Sequence, residues 1–104
     1  MSSNDGFKLN FDPLADKELL NSINWYEEIL PDLGLEFMNE VKTVLEIIEE
    51  NPYTFQLRKH QVREAPVKKF PFQIVYKIYP KKNEILIVSV FHTSRNPKGK
   101  HKRK

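Results

Sequence analysis

Two apolar runs late in the chain carry the clearest pattern. Phe70, Phe72, Ile74, Tyr76 and Ile78 recur at every second position, with Pro71, Gln73, Val75, Lys77 and Tyr79 between them. Period two belongs to a strand whose successive side chains point to opposite faces, so one face reads as core and the other as mixed. A polar break, Pro80-Lys81-Lys82-Asn83, follows, and residues 85–91 are then apolar except for Ser89. Two runs rich in Phe, Tyr, Ile and Val, split by a Pro/Asn connector, predict a β-hairpin. The second run predicts a central strand covered on both faces. It ends in His92-Thr93-Ser94-Arg95-Asn96. Polar groups gathered at the end of a central strand are a common setting for a site.

Upstream, Phe7-Lys8-Leu9-Asn10-Phe11 alternates and predicts a short first strand with Phe7, Leu9 and Phe11 inward. Asp12 then suits an N-cap and Pro13 a first helical position. Leu19, Ile23, Tyr26 and Leu30 fall at helical spacing, widened by Leu20 and Trp25, and predict a first helix over 13–30. Pro31 closes it. Asp32-Leu33-Gly34 reads as a turn into a second helix over 35–50, with Phe37, Val41, Val44 or Leu45, and Ile48 on its apolar stripe. Asn51-Pro52 ends that helix. So short a turn makes the two helices an antiparallel hairpin whose shared apolar face needs a cover. Residues 53–60 show no period and read as a loop. Residues 61–67 read as a strand that Pro66 either ends or confines to an edge. The order β-α-α-β-β-β does not alternate, which indicates α+β: a helical hairpin on a mainly antiparallel four-stranded sheet that the first strand also joins.

Length adds that residues 1–97 form one domain with one core, followed by a basic, non-periodic tail over 98–104 that reads as disordered. No apolar run is long enough to span a bilayer. The N-terminus lacks the basic and apolar regions of a signal peptide. A cytoplasmic protein with no membrane partner is the expectation. The chain has no Cys, hence no disulfide framework and no thiolate ligand or nucleophile. Charge changes the picture more. Residues 15–51 hold ten acids and two bases, a net of −8, while residues 52–104 hold fourteen bases and two acids, a net of +12. A basic half of that size favours a polyanionic partner, nucleic acid or an acidic protein segment, over a merely solvated surface.

Ordered landmarks run through nearly the whole chain. They are Ala15-Asp16, Trp25-Tyr26-Glu27, Gly34-Leu35-Glu36-Phe37, Asn51-Pro52, Phe70-Pro71-Phe72-Gln73-Ile74-Val75-Tyr76, and His92-Thr93-Ser94-Arg95-Asn96-Pro97. In that order and spacing the chain resembles the RelE/ParE superfamily of type II toxin–antitoxin toxins, on the ParE-like side. The resemblance implies a small bacterial toxin, of the kind tied to plasmid stabilization, neutralised by a cognate antitoxin. It implies no small-molecule cofactor and no metal. ParE-like members act against DNA gyrase, and RelE-like members cleave mRNA on the ribosome.

Metal-free RNA cleavage needs a base for the 2′-hydroxyl, a cation for the phosphorane and an acid for the leaving oxygen. Candidates for such roles are Arg63, His92 and Arg95, with Lys68 and Lys69 beside them. The resemblance places a basic residue after the last strand, where Arg95 stands. It also places an arginine in the nucleases where this chain has Gln73, and a Tyr-bearing C-terminal helix that residues 98–104 cannot form. Both departures favour the gyrase branch. Three readings stay open: a gyrase inhibitor, a ribosome-dependent endoribonuclease, and a nontoxic partner-binding or co-repressor module. Several candidates also have plain structural readings. His92 fits an imidazole hydrogen-bonded to backbone, Arg63 fits a partner of Glu64 or a helix acid, and Trp25 fits either core or an antitoxin groove.

Overall fold

The computed structural model describes residues 6–93. A first strand, β1 (Lys8–Phe11), leads into helices α1 (Pro13–Ile29) and α2 (Pro31–Glu50). Four strands follow: β2 (Gln56–Leu57), β3 (Val62–Pro66), β4 (Phe72–Tyr79) and β5 (Glu84–His92). They form one sheet in the order β1-β5-β4-β3-β2. β1 is parallel to β5, and the other neighbours are antiparallel. The architecture is α+β as read from the pattern, with one strand more than the four expected. The extra strand, β2, lies in the stretch read as a loop. Its two residues are both exposed, too short a piece for any period to register.

Local chemistry explains the helices. The Asp12 side chain accepts a hydrogen bond from the Leu14 N–H at 2.9 Å, and Pro13 occupies the first helical position, as the sequence predicts. The second boundary differs from expectation. α2 begins at Pro31, because a single extended residue, Leu30 (φ −159°, ψ 126°), ends one helix and opens the next. Proline at the first helical position starts a helix as readily as it stops the preceding one. Gly34 is therefore not in a turn. It sits buried in α2 where the helices touch, and a Cβ there would collide with the Glu27 side chain and stand 3.0 Å from the Ile23 carbonyl oxygen.

The helices cover one face of the sheet. Ala15 and Tyr26 from α1 join Phe37, Val41, Val44 and Ile48 from α2 over Phe72, Ile74, Tyr76, Ile85, Ile87 and Val90. The α2 stripe is the expected one. On α1, Leu20 is exposed and Trp25 two-fifths exposed, and Leu30, expected on the stripe, is exposed just past the helix end, so the buried stripe is narrower than its apolar pattern. In β5 a bulge at Val88 shifts the register, with Val75 opposite Ser89 and Tyr76 opposite Ile87. The extra residue lets Ile85, Ile87 and Val90 all turn to the core despite their uneven spacing. β5 is central, but its other face is not fully covered as expected: Leu86, Val88 and Phe91 are half-buried. Among the described residues no helix is long and apolar enough to cross a membrane. The basic tail lies outside the described residues.

Candidate functional site

β5 outruns its neighbour. β1 pairs only with residues 84–87, and the Asp12 N–H donates to the Ile87 carbonyl at 2.9 Å as α1 begins. Beyond that point α1 takes over the edge of β5. Glu18 Oε1 accepts from the Val90 N–H at 2.8 Å and from the Ser89 hydroxyl at 2.9 Å. A carboxylate here satisfies a backbone donor that the sheet leaves unpaired. Above it opens a cleft of about 300 Å³ lined by Glu18, Asn21, Ser22, Phe72, Val90, Phe91 and His92.

His92 closes this cleft at the end of β5, opposite Phe72, with ring centroids 5.0 Å apart in an edge-on arrangement. Phe72 belongs to an aromatic cluster: Phe37 lies 4.8 Å from it and 5.1 Å from Phe70, and Tyr26 lies 5.0 Å from Phe70. Thr93 fastens the strand end, its N–H donating to the Pro71 carbonyl at 2.8 Å and its hydroxyl to the same oxygen at 3.1 Å. The polar cluster expected after β5 is thus partly spent on holding the β4–β5 hairpin closed. Arg95 lies outside the described residues.

Arg63 is elsewhere. It faces the helices beside Tyr76, donates to the Phe55 carbonyl at 2.7 Å, and sets its guanidinium carbon 5.2 Å from the centre of the Tyr53 ring. Its partners are the 53–55 segment rather than Glu64, which pairs with Arg58 at 3.6 Å. Tyr76 completes this anchor by donating to the Pro52 carbonyl at 2.7 Å. Burial pushes the Tyr76 phenol up to about 12, against an opposing pull from the Arg63 charge. Arg63 stands level with Tyr76 and His92 level with Phe72, four residues apart on β4, or ~13 Å along the sheet. The fold does not bring these two candidates together. Lys69 reaches Glu40 and Glu36 on α2, at 3.6 and 3.8 Å, and Lys68 lines a separate apolar pocket with Ile47 and Phe55.

Chemically, the cleft offers an imidazole and a carboxylate already engaged with backbone. No lysine or arginine is among its described lining residues, so a phosphate there would meet no countercharge. Among the described residues no group of three His, Cys, Asp or Glu side chains could hold a metal. Glu18 is the site residue that sequence reasoning missed. Nothing local distinguishes it from the solvated acids around it.

Comparison with known proteins bears on this arrangement. No curated protein matches the chain in sequence. Solved structures of toxins and toxin–antitoxin complexes share its fold, among them the following three. A chromosomal ParDE system from P. aeruginosa matches at 16% identity and TM-score 0.71, over 83% of this chain and 95% of that one. The intact E. coli RelBE toxin–antitoxin complex matches at 22% identity and TM-score 0.66, over 86% and 99%. The isolated E. coli RelE toxin matches at 22% identity and TM-score 0.63, over 93% and 97%. The profile of one family, described as the ParE toxin of the type II toxin–antitoxin system parDE, matches residues 9–97, nearly the whole domain. The chain belongs to the ParE toxin family of type II toxin–antitoxin systems, within the RelE/ParE superfamily.

Proposed function

We propose that this ParE-family protein is a toxin that inhibits DNA gyrase and is neutralised by a cognate antitoxin. One observation carries the choice of target. Gln73 stands on the sheet face away from the helices, between Pro66 on β3 and Phe91 on β5. The next row on that face holds Glu64 and Val75. Among the described residues a cation that reaches this row, Arg58, is paired with Glu64 at 3.6 Å, whereas the nuclease branch has an arginine of its own in place of Gln73. Losing one preorganised electrostatic group typically costs ~100-fold or more in rate. A glutamine flanked by Pro66 and Phe91 has no charged strand partner among the described residues to replace it. An antitoxin partner is supported by the toxin–antitoxin complexes among the structural neighbours.

Two assays test the reading. Purified protein is expected to block supercoiling by gyrase and to leave mRNA on translating ribosomes intact. Codon-specific cuts in that mRNA, lost in His92→Ala, would promote the ribonuclease reading. Absence of growth arrest on expression, with free protein as easily produced as the antitoxin complex, would promote the nontoxic one. Arg95 is proposed as the working cation after β5, so Arg95→Ala is expected to abolish growth arrest without lowering the unfolding midpoint.

A further inference from the structure

At its other end, the open sheet face has a different character. Tyr79 closes β4 on the side away from the helices and is 39% exposed. Glu84 lies opposite Tyr79, Lys8 opposite Glu84, and Lys77 one row back opposite Leu86. Tyr79, Lys82, Asn10 and Glu84 line a groove of about 300 Å³. The β2–β3 turn begins where Val62 pairs with Lys77, so it projects beside the β4–β5 turn at the same end of the sheet. Both turns are tight and left-handed at residues other than glycine: His60 (φ 62°), Gln61 (φ 64°) and Asn83 (φ 56°). Such conformations cost energy in side-chain-bearing residues, and a further one, Lys69 (φ 70°), lies in the β3–β4 turn at the opposite end. The two turns at this end carry Lys59, Lys81 and Lys82 outward into solvent.

The charges do not cancel. Arg58 is paired with Glu64, which leaves, among the described residues at this end, five lysines, 8, 59, 77, 81 and 82, and one acid, Glu84. An exposed ring set among lysines, over a groove with an amide, is what a single strand needs. Lysines track its phosphates, and the ring stacks on a base that no duplex partner occupies. An acidic peptide would use the lysines but not the ring.

We propose that this hairpin-tip end binds a single-stranded polynucleotide, with phosphates on Lys77, Lys81 and Lys82 and a base stacked on Tyr79. The site is remote from His92 and does not depend on which target the toxin has. Fluorescence anisotropy of the full chain with short labelled oligo-dT and oligo-U tests it. Binding is expected to weaken with salt at a log–log slope of about −2, from three contacts at ~0.7 each. Tyr79→Leu should weaken binding about tenfold at unchanged slope, and Tyr79→Phe should keep it, because stacking needs the ring and not the hydroxyl. Lys81→Gln with Lys82→Gln should reduce the slope by about 1.4. Tighter binding of oligo-U than oligo-dT assigns RNA as the preferred strand, and the reverse assigns DNA. Unchanged affinity and slope in these variants, or a duplex or polyglutamate probe bound as tightly and independently of Tyr79, overturns the proposal. All the substituted side chains are exposed or half-buried, and circular dichroism checks that the variants fold. The probe is a bare oligonucleotide, so this experiment and the gyrase assay fail separately.

Discussion

The two ends of the sheet use their polar and aromatic residues in opposite ways. At the His92 end the rings pack on one another, Thr93 ties β5 to Pro71, and Glu18 caps the Val90 N–H. The described polar atoms there are largely absorbed by the fold. At the hairpin-tip end Tyr79 stands exposed, and Lys59, Lys81 and Lys82 point into solvent. Exposed charges contribute little to stability. A group of them with no structural task is therefore better evidence of binding than a polar cluster that closes a hairpin. The comparison predicts that substitutions of the described residues at the first end lower stability, while substitutions at the second alter binding alone.

The largest expected effect is Phe37→Ala. It removes a fully buried ring that contacts Tyr26, Phe70 and Phe72, and should cost ~3–5 kcal/mol in a denaturant titration. A cost near zero would mean that the aromatic cluster does not hold the His92 end together. Next comes Glu18→Ala, which strands the Val90 N–H and the Ser89 hydroxyl. A loss of ~2 kcal/mol is expected, with faster amide exchange at Val90 than at Ile87. Equal protection of both amides would show that Glu18 is dispensable to the strand edge.

Tyr76→Phe should cost ~1–2 kcal/mol by leaving the buried Pro52 carbonyl unpaired. It should also remove a pH dependence. The folded-state value is raised from 10.0 to about 12, so the neutral phenol is favoured in the folded chain. That contribution is complete below pH 10 and is lost as pH rises toward 12. Denaturation followed across this window should be steeper in the parent than in Tyr76→Phe. The smallest effect is Lys81→Gln with Lys82→Gln at the other end, expected to shift stability by less than ~0.5 kcal/mol. A large loss there would erase the contrast between the two ends.

Much of the fold follows from local pattern. Asp12 and Pro13 specify the start of α1, the spacing of Phe37, Val41, Val44 and Ile48 specifies the buried face of α2, and period two from Phe70 to Ile78 specifies β4. The family, too, is legible in residues quoted in order along the chain, as the match over residues 9–97 bears out. These features depend on neighbours a few positions apart, where one helix or strand period relates residue type to direction. What tertiary structure decided involves residues far apart. Only the parallel pairing of β1 with four residues of β5 creates the open edge that Glu18 fills across 72 positions of sequence. Only the crossing of α1 with α2 makes Gly34 a contact rather than a turn. Only strand register separates Arg63 from His92 and sets Tyr79 among lysines from three segments. A sequence records side-chain type and local period, but the distance between remote side chains is set by which strands pair, and in what register.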